Sequence, residues 1–188
     1  MKLDRHYFER RVTRYTPNQI EIANALYELW HPESVFDCGC GIGGYLQGFS
    51  NQECVVAGCD IKWNYACEFM PHNIKNATYK CDAGLKIYNN HKYDLVISIE
   101  VAEHIDENNA MQFCENLVCL SKNKILLTAA KPGQPGWGYI NRQSKQYWID
   151  RMNVVGATHN LKDEIEIVSR IRPIDKMGIH DNIMVFNV

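Results

Sequence analysis

No apolar run in this chain of 188 residues approaches the ~20 that a bilayer-spanning helix needs. The opening residues, MKLDRHYFERR, carry no apolar stretch of the kind a secretory signal requires. Both absences lead to the expectation of a cytoplasmic protein without a membrane partner. An excess of one charge is missing too. Twenty Lys and Arg stand against twenty-two Asp and Glu, a net charge of -2, so the overall field does nothing to attract a polyanion. RNA as a partner would have to find a local patch. Repeats and low-complexity tracts are absent, and 46% hydrophobic residues suffice for a single core, so one domain is expected. The eight cysteines mostly sit inside apolar strand-like or helix-like segments and not in the loops of a disulfide framework, and Cys38-x-Cys40 has no second pair to complete a zinc site. They read as buried reduced thiols.

What is present is a concentration of glycine. Four of the twelve fall within residues 37–44, inside FDCGCGIGGYL (36–46). The apolar run SVFD (34–37) leads into them and a helix follows, so the segment reads as strand, tight turn, helix. Thr16-Pro17 starts an earlier helix, carried by Ile22, Ala25, Leu26, Leu29 and Trp30 up to His31-Pro32. Further strands are expected at CVVAGCD (54–60), ATYKCDA (77–83), YDLVISIE (93–100), KILLTAA (124–130) and NIMVFNV (182–188). Between them, Trp63, Ala66, Cys67 and Met70 suggest a helix closed by Pro71. Asp106 is a candidate N-cap for a helix bearing Ala110, Phe113, Cys114, Leu117 and Leu120, and a helix is expected around 144–155. Residues 161–172 are ambiguous. Leu161, Ile165 and Val168 fit a helix, while Glu164, Ile165, Glu166 and Ile167 alternate like a strand. His159 and His180 read as surface residues. Strands alternating with helices over 34–130 give an α/β fold with a parallel sheet and right-handed crossovers.

Gly39, Gly41 and Gly44 satisfy G-x-G-x-x-G, a turn that lets a ligand approach the backbone closely. Asp37, two residues earlier, changes its meaning. A carboxylate there would repel a pyrophosphate and attract an ammonium. The order of motifs now resembles the class I, Rossmann-like, S-adenosylmethionine-dependent methyltransferases, in a small stand-alone form. The resemblance implies an open, mostly parallel twisted sheet with helices on both faces. It also implies S-adenosyl-L-methionine as cofactor, with its methionine end held at Asp37-Cys38-Gly39-Cys40-Gly41-Ile42-Gly43. Asp60, followed by Ile61, matches the acid that takes the ribose hydroxyls, and Asp82-Ala83 matches the pair against the adenine. The strand that begins at Asp94 and runs to Glu100 would pass the sulfonium. On this reading 1–188 is one domain, with 1–33 a helical lid in which Tyr7, Arg14 and Tyr15 take part. Residues 34–130 form the cofactor core, and 131–188 hold the acceptor loop and closing elements.

The loop KPGQPGWGYINRQ (131–143) follows a central strand and is long for a compact domain, which suits contact with substrate. Trp137, Tyr139, Asn141 and Gln143 are its candidate acceptor ligands. SIEVAEHI (98–105) places Glu100, Glu103 and His104 at the same sheet edge. This E-x-x-E-H pattern resembles two methyltransferase groups, one acting on the terminal ribose of small RNAs and one in quinone biosynthesis. In the first, the two glutamates and the histidine help hold a divalent cation, which such carboxylates and an imidazole are suited to bind. Tyr139 stands where related small methyltransferases often have a fourth ligand, histidine. The other reading makes Glu100 and His104 catalytic without a metal, His104 as general base.

The expected activity is methylation of an oxygen on a small molecule or sugar. Three alternatives stay open: an RNA ribose O-methyltransferase with a divalent metal, a non-catalytic methyltransferase-like binding subunit, and a nicotinamide-dependent oxidoreductase. The last leaves Asp37 and Asp82-Ala83 unexplained. No DPPY-type motif follows the fourth strand, which disfavours methylation of base nitrogens.

Overall fold

The computed structural model describes residues 5–188, without the side chains of residues 5–7 and of Arg10. In chain order the elements are α1 (Arg5–Arg14), α2 (Thr16–Trp30), β1 (Ser34–Cys38), α3 (Gly44–Ser50), β2 (Val55–Asp60), α4 (Trp63–Ala66), α5 (His72–Asn76) and β3 (Thr78–Lys80). They continue with β4 (Tyr93–Ser98), α6 (Ala110–Leu120), β5 (Ser121–Thr128), α7 (Lys145–Val154), β6 (Thr158–His159), α8 (Leu161–Ile171) and β7 (Ile183–Asn187).

The strands pair in the order β3-β2-β1-β4-β5-β7-β6, parallel from β3 to β5, with β7 antiparallel to both its neighbours. Neighbouring residues of a strand face opposite layers. Phe36, Val96 and Leu127 pack under α6 and α7, while Val35, Leu95, Ile97 and Leu126 pack under α2, α3 and α8. Burial on both sides is why these strands read as continuous apolar runs. Strand order reverses between β1 and β4, and the crevice outside their carboxyl ends is where open sheets of this kind bind ligands. Asp94 marks the other edge. It accepts from the backbone and hydroxyl of Ser34 at 2.9 and 2.8 Å, pinning the start of β1 to β4.

One ambiguity resolves and four expectations change. Residues 161–172 form a helix, because Ile167 and Ile171 reach the core while Ile165 stays exposed, a helical and not an alternating pattern. The expected helix from Trp63 to Met70 breaks into α4 and a 3-10 turn at Cys67–Phe69, and Pro71 caps the next helix. The third strand ends at Lys80, where the chain turns with Asp82 accepting from Gly84 N–H at 2.9 Å. Asp106 caps a 3-10 turn, Glu107–Asn109, that leads into α6. His159 and His180 are not free surface residues either: they pair with Glu164 at 2.8 Å and with Asp175 at 2.7 Å.

Candidate functional site

The β1 turn is built to bring backbone close to backbone. Gly39 and Cys40 both donate N–H to Cys59 O, at 2.8 and 2.9 Å, closing the turn onto the end of β2. Gly39 and Gly43 have φ of +93° and +75°, and a Cβ on either would overlap Val101 or Ile74. Gly41, at φ +53°, has no neighbouring atom within 4 Å of where a Cβ would stand. Its N–H donates to the Asp60 carboxylate at 2.9 Å, and the other oxygen of Asp60 accepts from Lys62 N–H at 2.6 Å. Ile61 projects outward. Helix α1 covers this turn: Phe8 is buried with Cys40, Ile42 and Met70, and stacks on Phe69 at 6.1 Å. Tyr7 lies outside the described side chains, and Tyr15 packs beneath the guanidinium groups of Arg11 and Arg14.

Asp37, next to last in β1, is 1% exposed, and its Oδ2 has no hydrogen-bond partner. Burial first, and the nearby Asp60 second, push its carboxyl well above the usual range. A buried carboxylate in that condition is costly unless a cation joins it. The same burial pushes up the Cys40 thiol, which removes it as a nucleophile. Asp82 is half-buried at the third strand's end, and Ala83 is buried with its carbonyl held by Asn116 at 2.9 Å.

After β4 the backbone takes a strained step: Glu100 has φ +57°. Thr128 holds it there, accepting from Glu100 N–H at 2.8 Å and donating to its Oε1 at 3.0 Å. Asn182 donates to the same oxygen at 3.1 Å and to Gln134 Oε1 at 3.1 Å. Glu103 points into the protein at 0% exposure, with neither oxygen in a hydrogen bond of full geometry. It faces the Glu100 carboxyl and the backbone amides of Glu103 and Ala130. Burial first, then Glu100, raise its carboxyl to about 8. His104, its neighbour in the 3-10 turn Ala102–His104, points outward and donates from Nδ1 to Gly138 O at 2.9 Å. A carbonyl only accepts, so the proton sits on Nδ1 and the lone pair of a neutral ring on Nε2.

The structure thus brings Glu100 and Glu103 together and turns His104 away from them, because successive side chains of a 3-10 turn diverge by about a third of a turn. Among the described residues no three His, Cys, Asp or Glu converge as a metal site. A cation shared by Glu100, Glu103 and His104 does not fit this arrangement. His104 meets the acceptor loop instead, its ring 5.2 Å from that of Tyr139, which lies flat against Gly136. The loop is moored through Glu103 O, which accepts from Ile140 and Asn141 N–H at 2.9 and 3.0 Å. Asn141 is buried with its Nδ2 unpartnered, and its Oδ1 accepts from Gln143 at 3.0 Å. Trp137 stands at the loop tip, 50% exposed. Sequence reasoning missed Thr128 and Asn182, which reach Glu100 from distant segments, and Gln134, which holds Asn182 in place; none carries a local pattern that announces it.

Residues 36–126 match a family profile described as a methyltransferase domain. That segment is a methyltransferase domain, and the fold around it is the Rossmann-like one shared by S-adenosylmethionine-dependent methyltransferases. This methyltransferase is similar in fold to a sugar N-methyltransferase of a Streptoalloteichus species, at 10% identity, covering 97% of this chain and 91% of that one, TM-score 0.72. An amino pentose methyltransferase of Micromonospora echinaspora, with S-adenosylmethionine bound, aligns at 9% identity over 100% and 98% of the two chains, TM-score 0.71. The magnesium protoporphyrin IX methyltransferase of Synechocystis, with S-adenosylhomocysteine bound, aligns at 15% identity over 96% and 86%, TM-score 0.62. Comparison with curated proteins gives no match. No helix among the described residues is long and apolar enough to cross a membrane. The methyltransferase's own residues fit the cofactor: the unpartnered Asp37 carboxyl suits its ammonium, and the bare Gly41 backbone leaves room beside it.

Proposed function

We propose that this methyltransferase acts on an oxygen of a small-molecule or sugar acceptor, with the cofactor in the cleft outside β1 and β4. The observation that carries the reading is the buried, unpartnered Asp37 carboxyl, which a ligand ammonium would complete. Asp60 and Asp82, at the ends of β2 and β3, would orient the adenosine. The cofactor supplies a methyl group on a sulfonium that departs as a neutral thioether. Glu100, fixed by Thr128 and Asn182, would line the pocket at the turning point of the sheet. His104 would take the acceptor's hydroxyl proton on Nε2, because the Gly138 carbonyl keeps the Nδ1 proton in place. Trp137 and Tyr139 would exclude water and hold the acceptor in line, which is where much of the rate arises. The Asn141 amide, with Gln143 behind it, would read one polar group on the acceptor. The sugar-modifying neighbours support an acceptor of this size.

The test is methyl transfer from labelled S-adenosylmethionine into fractionated hydroxylated small molecules and RNA, run with two variants. His104→Ala should lower the rate roughly 10²–10⁴-fold and leave S-adenosylhomocysteine affinity unchanged. Asp37→Asn should weaken that affinity about 10–100-fold, the worth of a charged hydrogen bond, while raising the melting temperature of the free protein by removing a buried carboxyl. Label appearing only in RNA, or an Asp37→Asn protein that binds as well as the parent, would overturn the proposal.

A further inference from the structure

Resting on that reading, we propose that the groove between loop 131–135 and turn 178–182 is a second acceptor subsite, taking an anionic substituent such as a phosphate or carboxylate. The groove encloses about 490 Å³, in the range of ligand clefts. It opens on the ligand-binding edge of the sheet, since its two walls are the segment after β5 and the one before the antiparallel β7. Its connection to the candidate catalytic pocket is a single buried amide. Asn182 lines the groove, and its Nδ2 bridges Gln134 Oε1 and Glu100 Oε1 at 3.1 Å each. An acceptor reacting beside Glu100 would therefore have its next substituent within reach of this groove.

The charges point to an anion. Lys131 lines the groove, and among the described residues no carboxylate pairs with it. The groove's own acid, Asp181, is already shared by Arg172 at 3.6 Å and His180 at 3.4 Å. Gln134 Oε1 also accepts from Lys131 N–H at 3.3 Å, which fixes the backbone that carries the free ammonium. Gly133 and Gly178 line the same groove with φ of +82° and +78°, and a Cβ on either would meet nothing within 4 Å. A ligand there meets open backbone, the Lys131 ammonium and, on the facing wall, Asp181 already paired with Arg172. Behind Gly178 the wall is rigid, because Asp175 accepts from the N–H groups of Met177, Gly178 and His180 at 2.8–2.9 Å.

The experiment uses the ¹⁵N-labelled chain loaded with S-adenosylhomocysteine and titrated with phenyl phosphate, benzoate, phenol and benzylamine. Phenyl phosphate and benzoate should move the amide signals of Gly133 and Gly178 and the side-chain amide of Asn182. Their affinity should exceed that of phenol by about 3–5-fold, the value of one exposed ion pair, and the difference should shrink as salt is added. Lys131→Met, an exposed change, should erase it. Equal affinity for phenol, preference for benzylamine, or an unchanged response in Lys131→Met would overturn the subsite. Signals near Gly41 and Asp60 that ignore S-adenosylhomocysteine would instead defeat the methyl-transfer reading, so the two failures are distinguishable.

Discussion

Glu103 buries a carboxyl that no protein group satisfies in full, beside a second carboxyl. Folded, it keeps its proton up to about pH 8, whereas the ordinary value for the unfolded chain is 4.5. The folded state thus binds more protons over that window, and stability falls as pH rises through it, by up to a few kcal/mol. Glu103→Gln retains shape and one donor without an ionisation. Its melting curve should be flatter between pH 5 and 8, and it should gain on the parent as pH increases. Parallel curves for the two proteins would show that Glu103 does not carry this charge balance. The same neighbourhood shows what a sequence conceals about single residues. Asp37 and the glycines were legible because their roles follow from local geometry, a strand end and left-handed turns. E-x-x-E-H looked like one constellation, but a 3-10 turn separates the buried Glu103 from the exposed His104, and spacing alone does not specify that turn.

Elements show the same division between local and distant causes. The strands β1, β4 and β7 were legible because each is buried on both faces. Helix α8 was ambiguous because its charged residues alternate with isoleucines, and only contact with β7 and α2 decides which isoleucines are buried. Glu164 then becomes a junction: it accepts from Lys145 of α7 at 3.0 Å and pairs with His159 of β6 at 2.8 Å. Glu166, two residues on, makes only an exposed pair with Arg170 at 3.3 Å. Glu164→Ala should cost about 1–2 kcal/mol of stability and Glu166→Ala no more than about 0.5, in denaturant titrations. Neither should alter S-adenosylhomocysteine affinity, because this junction lies across the sheet from β1–β3. Equal losses in the two variants would show that Glu164 adds nothing as a junction. Strand β6 escaped notice for a simpler reason: two residues are too few to show a period.

For the whole molecule, the alternation of strands and helices was enough to give the parallel sheet and its binding edge, while the antiparallel insertion of β7 between β5 and β6 depends on long-range pairing. That layered burial also has a consequence for chemistry performed on the protein from outside. Cys38 and Cys59 pair on neighbouring strands and Cys81 follows the end of β3 beside them, and mutual contact, with burial, pushes the Cys59 and Cys81 thiols far up. Cys40, Cys54, Cys67 and Cys114 are buried as well, which leaves Cys119 alone exposed, in the last turn of α6 and at the edge opposite the ligand cleft. The folded chain should take up one equivalent of a maleimide quickly, lose that reaction in Cys119→Ser, and react at all eight thiols only when denatured. A dye placed at Cys119 would then sit on a rigid helix, leaving the binding edge untouched, and comparing its energy transfer in the parent and in Trp137→Phe would isolate the share of the acceptor loop from that of the other three tryptophans.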